Sequence, residues 1–316
     1  MGRPVLIIEE DAEYFRERLG ALFPQLDIRT ALDRAEVGNK AADAEVIMGR
    51  GTSVVFDAEL VSGARHLQWV QALTSGTDAI LATCAIRPEV IVTSMRGIHG
   101  PQVAEMAFLQ MLVLARDYPQ TLRNQERALW QFWPQRLLLG KTIAILGIGI
   151  IAGELASRCK AFGMTVLGIT STLRPVAGFD RMFDRGGLRE AAALADFLVV
   201  LVPHTSDTDH IVDAGVIGAM KSTAFLVNLA RGGVVDEGAL LAALRERRIA
   251  GAGLDVFQTE PLPIDHPFWR MPNVVITPHC AGSNENIAQQ KAVILEQNLR
   301  CFLEGRQQDM VNIVPR

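Results

Sequence analysis

Cysteine is scarce and scattered in this chain. Its four residues, Cys84, Cys159, Cys280 and Cys301, form no CxxC pair and no dense framework, a usage that suits a reducing compartment and structural thiols rather than a metal site. Basic charge is not in excess either. Lys and Arg number 31 against 35 Asp and Glu, a net charge of −4, whereas nucleic-acid binding needs a concentrated basic face. A small anionic ligand stays compatible with that balance, because one well-placed arginine suffices to hold it. Long hydrophobic runs are absent. The most apolar helical stretch, residues 103–115, contains Glu105 and Gln110 and is too short to span a bilayer. The opening, MGRPVLIIEED, meets acids after a few apolar positions and reads as a first strand, not a signal peptide. No internal repeat or low-complexity segment stands out. These absences predict a cytoplasmic protein that binds neither nucleic acid nor membrane.

What is present points to two domains. At 316 residues, 49% apolar and 21% charged, the chain exceeds one typical core and has an ordinary globular balance. Short apolar runs alternate with helical patterns throughout, the mark of an α/β protein with parallel sheets. Runs at 5–8, 45–48, 67–70 and 90–92 predict the strands of a first unit, with helical stretches at 12–22 and 57–61. A long helix opens the second unit. Pro101 suits its first position, and Val103, Ala104, Ala107, Phe108, Met111, Leu112 and Ala115 make it apolar most of the way round, as in a helix buried between domains or subunits. After a polar, aromatic connector at 124–134 come six runs, at 142–146, 165–169, 197–202, 224–229, 251–256 and 274–277. They are rich in Val, Ile and Leu, as strands covered on both faces should be. A last helix is expected over 286–304.

Several motifs carry chemistry. Gly147-Ile-Gly149-Ile150-Ile151-Ala152 follows the run at 142–146 and opens a helix. The first glycine permits a tight turn, the second lets backbone approach a pyrophosphate, and the small Ala152 allows close helix–strand packing. The pyrophosphate would rest on the helix N-terminus, where free N–H groups favour anions. An NAD-specific site places an acid roughly 20 residues further on. Here the strand ends with Thr170, Ser171, Thr172 and Arg174 and no acid. Hydroxyls and an arginine suit a 2′-phosphate, so NADP(H) is favoured, with NAD(H) the alternative if Arg174 points into water.

Three further segments follow strand ends. Asn228-Leu229-Ala230-Arg231-Gly232-Gly233 holds an arginine between a strand and two glycines, a placement suited to gripping a carboxylate bidentately. The segment 253–261 carries Asp255 and Glu260, and Thr277-Pro278-His279-Cys280-Ala281-Gly282 carries a histidine. His66 and His210 read as helix or surface residues. His99, His204 and His266 lie in loops, His204 directly after Val202-Pro203. His279 differs because it shares a sheet edge with Arg231 and Glu260. A histidine beside a carboxylate exchanges a proton near neutral pH, which carbonyl–alcohol interconversion requires.

Taken together, GIGIIA at 147–152, NLARGGVVDEGAL at 228–240, GAGLDVFQTEPLP at 251–263 and PNVVITPHCAG at 272–282 resemble the D-isomer-specific 2-hydroxyacid dehydrogenase family over essentially the whole chain. The Val103-Ala-Glu105 helix opening fits as well. The resemblance implies two doubly wound parallel-sheet domains: a flavodoxin-like substrate domain at 1–98 with 287–316, and a Rossmann-type cofactor domain at 99–286. It implies that His279 is the acid/base, Glu260 its orienting partner, and Arg231 the group that binds substrate carboxylate and polarises the carbonyl. The segment Leu73-Thr-Ser75-Gly76-Thr-Asp78 resembles the family's substrate loop, whose backbone N–H groups hold the carboxylate. Asp255 would contact the nicotinamide amide, and Val202, Pro203 and His204 would border the adenosine. Leu229, Ala230 and Gly282 would also line the cofactor, and the helix at 101–116 would build a homodimer.

Two departures matter. Ala152 replaces a usual third glycine, which is harmless on size grounds. Thr170 replaces the usual acid, and with Ser171 and Arg174 it is similar to the NADPH-using glyoxylate/hydroxypyruvate reductases. The expected reaction is therefore NAD(P)H-dependent reduction of a small 2-keto acid to the D-2-hydroxy acid. The alternatives are an NAD-dependent phosphoglycerate-type or other D-2-hydroxyacid dehydrogenase, for which no regulatory domain follows the last helix, and a non-catalytic dinucleotide sensor of the corepressor type. The short termini favour an enzyme. Formate dehydrogenase is disfavoured because it carries glutamine where Glu260 stands. Met48, Gly49, Arg50, Trp130 and Trp133 are candidates to line the substrate pocket, although both indoles are better suited to a domain or dimer boundary.

Overall fold

The computed structural model describes residues 2–52, 54–83 and 85–315; Cys84 lies outside them. The chain divides into two units, Met1–Ile98 with Asn284–Arg316, and His99–Ser283.

The first unit is built on five strands: β1 (Arg3–Ile8), β2 (Leu26–Ala31), β3 (Val46–Gly49), β4 (Trp69–Ala72) and β5 (Ile91–Thr93). Their order is β2-β1-β3-β4-β5, and every pairing is parallel. That is the doubly wound order of the flavodoxin type. β2 is not apparent in the sequence as an apolar run, because Asp27, Arg29 and Thr30 alternate with its apolar residues and it lies at the sheet edge. Helices Ala12–Leu22 and Ile287–Leu303 cover one face, burying Phe15, Leu19, Leu295 and Leu299 around Trp69. Phe56, Leu60, Val61 and Ile80 cover the other. Each side chain of this size contributes about 1.5–3 kcal/mol by leaving water.

The second unit has seven parallel strands: β6 (Thr142–Leu146), β7 (Thr165–Thr170), β8 (Arg181–Asp184), β9 (Phe197–Val200), β10 (Phe225–Asn228), β11 (Gly251–Leu254) and β12 (Val274–Ile276). They lie in the order β12-β11-β10-β9-β6-β7-β8. Six were expected. β8, sequence RMFD, is a short edge strand flanked by charge, and it offers no apolar run to read. The winding reverses between β6 and β9, and α/β sheets bind ligands outside the carboxyl ends of strands at such a reversal.

The long helix spans Gly100–Ala115 and buries Val103, Ala104, Ala107, Gln110, Met111 and Leu114. It packs on the helix Ile150–Ala161, and a Cβ on Gly100 would come within 2.9 Å of Ile150. Its outer face leaves Leu109 exposed. The expected connector is partly helical, because the helix Tyr118–Glu126 extends into it. Beyond that helix Leu129, Trp130 and Phe132 are exposed. Cys159 is fully buried, which pushes its thiol up to about 12 and leaves it unreactive. Among the described residues no helix is long and apolar enough to cross a membrane, and no group of His, Cys, Asp and Glu is placed to hold a metal.

Candidate active site

The turn after β6 is dictated by its glycines. Gly147 adopts φ +101°, and a Cβ there would lie 2.8 Å from Val202 and 2.9 Å from the carbonyl carbon of Leu201. Only glycine meets both demands. Gly149 is extended and precedes the 12-residue helix Ile150–Ala161, which has no side-chain cap at this end. The first amides of any helix lack a helical acceptor, and here those of Ile150 and Ile151 are not covered by a capping group. A Cβ on Gly149 would meet nothing within 4 Å. An open, uncapped helix N-terminus at the switch point fits a pyrophosphate on electrostatic and steric grounds. Ala152 is buried against the sheet.

Thr170 ends β7 at 8% exposure, in register with Asp184 of β8. The Asp184 carboxylate is engaged in its own turn, accepting from Gly187 N at 2.9 Å. Ser171 and Arg174 are exposed, and Arg174 forms no ion pair among the described residues. Val202 is buried, and Pro203 is exposed beside it. The His204 ring stands against Gly233, where a Cβ would lie 2.6 Å from it, and its Nε2 pairs with Asp209 at 2.8 Å. Leu229 and Ala230 are buried after β10.

Arg231 is set by the residues around it. Asn228 accepts from Ala230 N and donates to the Arg231 carbonyl, each at 3.1 Å. Gly232 lies so close to the next loop that a Cβ would be 1.9 Å from the Phe257 carbonyl carbon. This contact joins the loops after β10 and β11, and so gathers Arg231 and Glu260. The Glu260 carboxylate accepts from Phe257 N at 2.9 Å and pairs with His279 Nδ1 at 2.6 Å. Burial raises the Glu260 carboxyl, but the hydrogen bonds from His279 and Phe257 and the charges of His279 and Arg231 outweigh it and hold the group below its ordinary range. With Nδ1 facing a carboxylate, the exchangeable proton of His279 belongs on Nε2. The imidazole is 45% exposed, open enough to meet a ligand.

His279 adopts φ +51°, a left-handed conformation that costs a non-glycine residue about 1 kcal/mol or more. Asp255 holds it there. The Asp255 carbonyl accepts from His279 N at 2.8 Å, and its carboxylate accepts from Cys280 N and Ala281 N, each at 3.0 Å, and from Thr277 Oγ1 at 2.5 Å. At 1% exposure, Asp255 is occupied in clamping this loop. Gly282 closes the loop, its carbonyl 3.1 Å from His99 Nδ1.

The second unit thus brings Arg231, Glu260 and His279 to one edge, beyond the strands β10, β11 and β12. Ser75 and Gly76 belong to the first unit, in the loop after β4, where Ser75 Oγ donates to the Met95 carbonyl at 3.1 Å. His210 and His266 are held by Gln258 and Glu237. Gln110 was not foreseen as a site residue. Its Nε2 donates to Thr277 Oγ1 at 3.1 Å, behind the Asp255 clamp. The signal was visible: 103, 107, 110 and 114 share one helix face, and Gln110 alone is polar there.

The family model described as D-isomer specific 2-hydroxyacid dehydrogenase, NAD binding domain, matches residues 108–281. The chain is 33% identical over 98% of its length to a D-3-phosphoglycerate dehydrogenase of Methanocaldococcus jannaschii, of which it spans 58%. It is 34% identical over 79% of its length to a glyoxylate reductase of Korarchaeum cryptofilum, of which it spans 77%. Its structure is similar to that of a D-isomer specific 2-hydroxyacid dehydrogenase family protein from Aeromonas salmonicida, with a TM-score of 0.90, 33% identity, and coverage of 100% and 99% of the two chains. An NADPH-dependent glyoxylate/hydroxypyruvate reductase of Sinorhizobium meliloti, solved with NADP and sulfate, gives a TM-score of 0.83 at 26% identity, covering 98% of each chain.

Proposed function

The chain belongs to the D-isomer specific 2-hydroxyacid dehydrogenase family, and on that premise we propose that it reduces a small 2-keto acid to the D-2-hydroxy acid, with NADP(H) favoured over NAD(H). The observation that carries this reading is the 2.6 Å pairing of His279 Nδ1 with Glu260, on the same edge as Arg231. Gly147, Gly149, Ile150 and Ile151 would hold the pyrophosphate, and Thr170, Ser171 and Arg174 the ribose phosphate. NAD(P)H held there would supply a hydride for the carbonyl carbon.

The residues of this chain do the rest. Arg231 grips the substrate carboxylate and polarises the carbonyl. His279 gives its Nε2 proton to the carbonyl oxygen as negative charge develops there, so the ketone becomes an alcohol. Glu260, paired with Nδ1, orients the ring. Proton donation of this kind contributes typically 10²–10⁴-fold. In the oxidative direction the neutral imidazole takes the same proton back.

Absorbance assays of NADPH and NADH oxidation with glyoxylate, hydroxypyruvate, pyruvate and phenylpyruvate test the reading. Turnover is expected with at least one of them, faster with NADPH. No turnover with any would favour a dinucleotide-sensing binding protein. The exposed Leu109, Leu129, Trp130 and Phe132 support a homodimer built on the long helix and the segment after it, which sedimentation velocity measures. The buried thiols of Cys159 and Cys301 support the cytoplasm as its compartment.

A further inference from the structure

The five-stranded unit carries a cleft at the amino ends of β4 and β5, the end of the sheet opposite to the one where α/β proteins ordinarily place their ligands. Its volume is about 380 Å³, inside the range of about 300–1,000 Å³ that small-molecule sites occupy. Leu67 directly precedes the start of β4, Ile91 opens β5, and Phe302 comes from the helix Ile287–Leu303. Leu67 and Phe302 are buried, and with the half-buried Ile91 they give the cleft an apolar floor. Every residue involved belongs to this one unit.

The rim is cationic, lined by Arg65, His66 and Arg87. Arg87 is anchored: its Nη2 donates to the Leu67 carbonyl at 2.7 Å and its Nε to Glu89 at 2.9 Å. Arg65 is exposed, and its side chain makes no hydrogen bond or ion pair among the described residues. His66 is exposed as well, and its ring makes no hydrogen bond among them. The carboxylates nearby are already engaged. Glu89 holds Arg87, Glu45 holds Arg3 at 2.6 Å, and Asp43 holds Arg29 at 2.5 Å. The bond from Arg29 is the main cause of the lowered Asp43 carboxyl, and the charge of His66 adds the least to it. Gln68 accepts from Arg3 Nη2 at 3.5 Å through Oε1, which leaves its amide N–H groups as donors, and Gln307 brings a second amide.

Like charges gathered on one rim repel, and no group of the fold offsets Arg65. The lining is rich in donors, and its one carboxylate is spent on Arg87. From this arrangement we propose that the cleft is an anion-binding site, separate from the edge that carries His279. Its ligand is a small oxyanion, a phosphate or a carboxylate, on a compact apolar body. Arg65 and Arg87 grip the head group, for which a planar guanidinium is suited in either case. His66 and the two amides complete its hydrogen bonds, and the apolar floor receives the body. Neither cofactor nor keto acid enters this inference, so it stands or falls apart from the dehydrogenase reading.

The histidine rings report on it locally. Proton–carbon NMR spectra of the full chain, with the His66 signal assigned by its loss in His66→Gln, are followed during titration with phenyl phosphate, benzoate, inorganic phosphate, acetate and benzyl alcohol. Phenyl phosphate or benzoate should move the His66 signal saturably, and the tighter of the two identifies the head group. Inorganic phosphate and acetate, which lack the ring, should bind about tenfold more weakly than their aromatic counterparts. Benzyl alcohol, which lacks the charge, should leave the signal in place. Arg65→Glu should weaken the Kd of the preferred anion by about tenfold or more, with the urea midpoint and any keto-acid turnover unchanged, and Arg65→Lys should retain part of the affinity. A His66 signal that neither aromatic anion moves, an equal response to benzyl alcohol, or a Kd unchanged in Arg65→Glu overturns the proposal. So does a response confined to His279, which would put the anion beside Arg231 instead.

Discussion

The side chain of Gln110 donates from Nε2 to Oγ1 of Thr277 at 3.1 Å. The single hydroxyl hydrogen of Thr277 goes on to Asp255, so the chain of bonds has one direction, from the long helix to the carboxylate that clamps the His279 loop. The fit is tight, because a Cβ on Gly253 would lie 2.4 Å from Gln110 Oε1. That Oε1 is buried without a partner among the described residues, and a buried orphan of this kind costs about 1–3 kcal/mol. The amide persists in spite of that cost, so its orienting bond is the feature to probe.

Gln110→Leu removes the orphan acceptor together with one hydrogen bond of about 0.5–1.5 kcal/mol, and the two changes nearly cancel in stability. The urea midpoint should stay close to that of wild type. Thr277 loses its donor, the Asp255 clamp loosens, and kcat for keto-acid reduction should fall about tenfold at unchanged cofactor Kd. An unaltered kcat would show that the Asp255 clamp holds the loop without help from the helix.

Arg231→Lys keeps a positive charge but loses the planar fork. Carboxylate binding and carbonyl polarisation should both suffer, so kcat/KM for the keto acid should drop by about 10²-fold with cofactor Kd nearly constant. Steady-state kinetics beside fluorescence titration of the cofactor separate the two. A kcat/KM equal to that of wild type would remove Arg231 from the site.

Most of this architecture was legible because parallel sheets bury both faces of their strands. The runs at 142–146 and 251–256 announce themselves without knowledge of their neighbours. β2 and β8 did not, because edge strands keep one side in water and their Asp27, Arg29, Arg181 and Asp184 break the pattern. The pairing of His279 with Glu260 was expected from two motifs on adjacent strand ends. The clamp role of Asp255 was not, because a sequence shows that a carboxylate is near a loop and not which donors reach it first. Gln110 illustrates the same limit: its polarity was visible, but its partner lies 167 residues further along the chain.

The proposed preference for NADP(H) rests on Thr170. Residues 170–174 at the end of β7 include no acid, and the acid in register with Thr170, Asp184 of β8, accepts from Gly187 N. Thr170→Asp places an acid at the end of β7, and charge repulsion should weaken NADPH while NADH improves relative to it. The ratio of kcat/KM values for the two cofactors should move at least tenfold toward NADH, about 1.4 kcal/mol. A wild-type enzyme that already prefers NADH by that factor would refute the assignment.

The Glu260 carboxyl provides the pH test. Burial alone would raise it above its ordinary 4.5, yet the bonds from His279 and Phe257 N, with the charges of His279 and Arg231, bring it below that value. The folded protein therefore holds Glu260 ionised at pH values where the unfolded chain has begun to protonate it. By linkage, this contribution to stability is fully present above about 4.5 and is lost as pH falls through the lower, folded value. Glu260→Gln keeps the shape of the side chain but has no titration to lose. At pH 6 the variant should be less stable than wild type, and the difference should shrink as pH is lowered toward 3.5. Urea midpoints for both proteins at the two pH values measure it. The same substitution leaves the imidazolium of His279 without its anion, so kcat for reduction at pH 6 should fall about 10²-fold. A stability gap that stays constant or widens on acidification, together with undiminished kcat, would mean that the 2.6 Å contact is not an ion pair that the fold depends on, and His279 would need another partner.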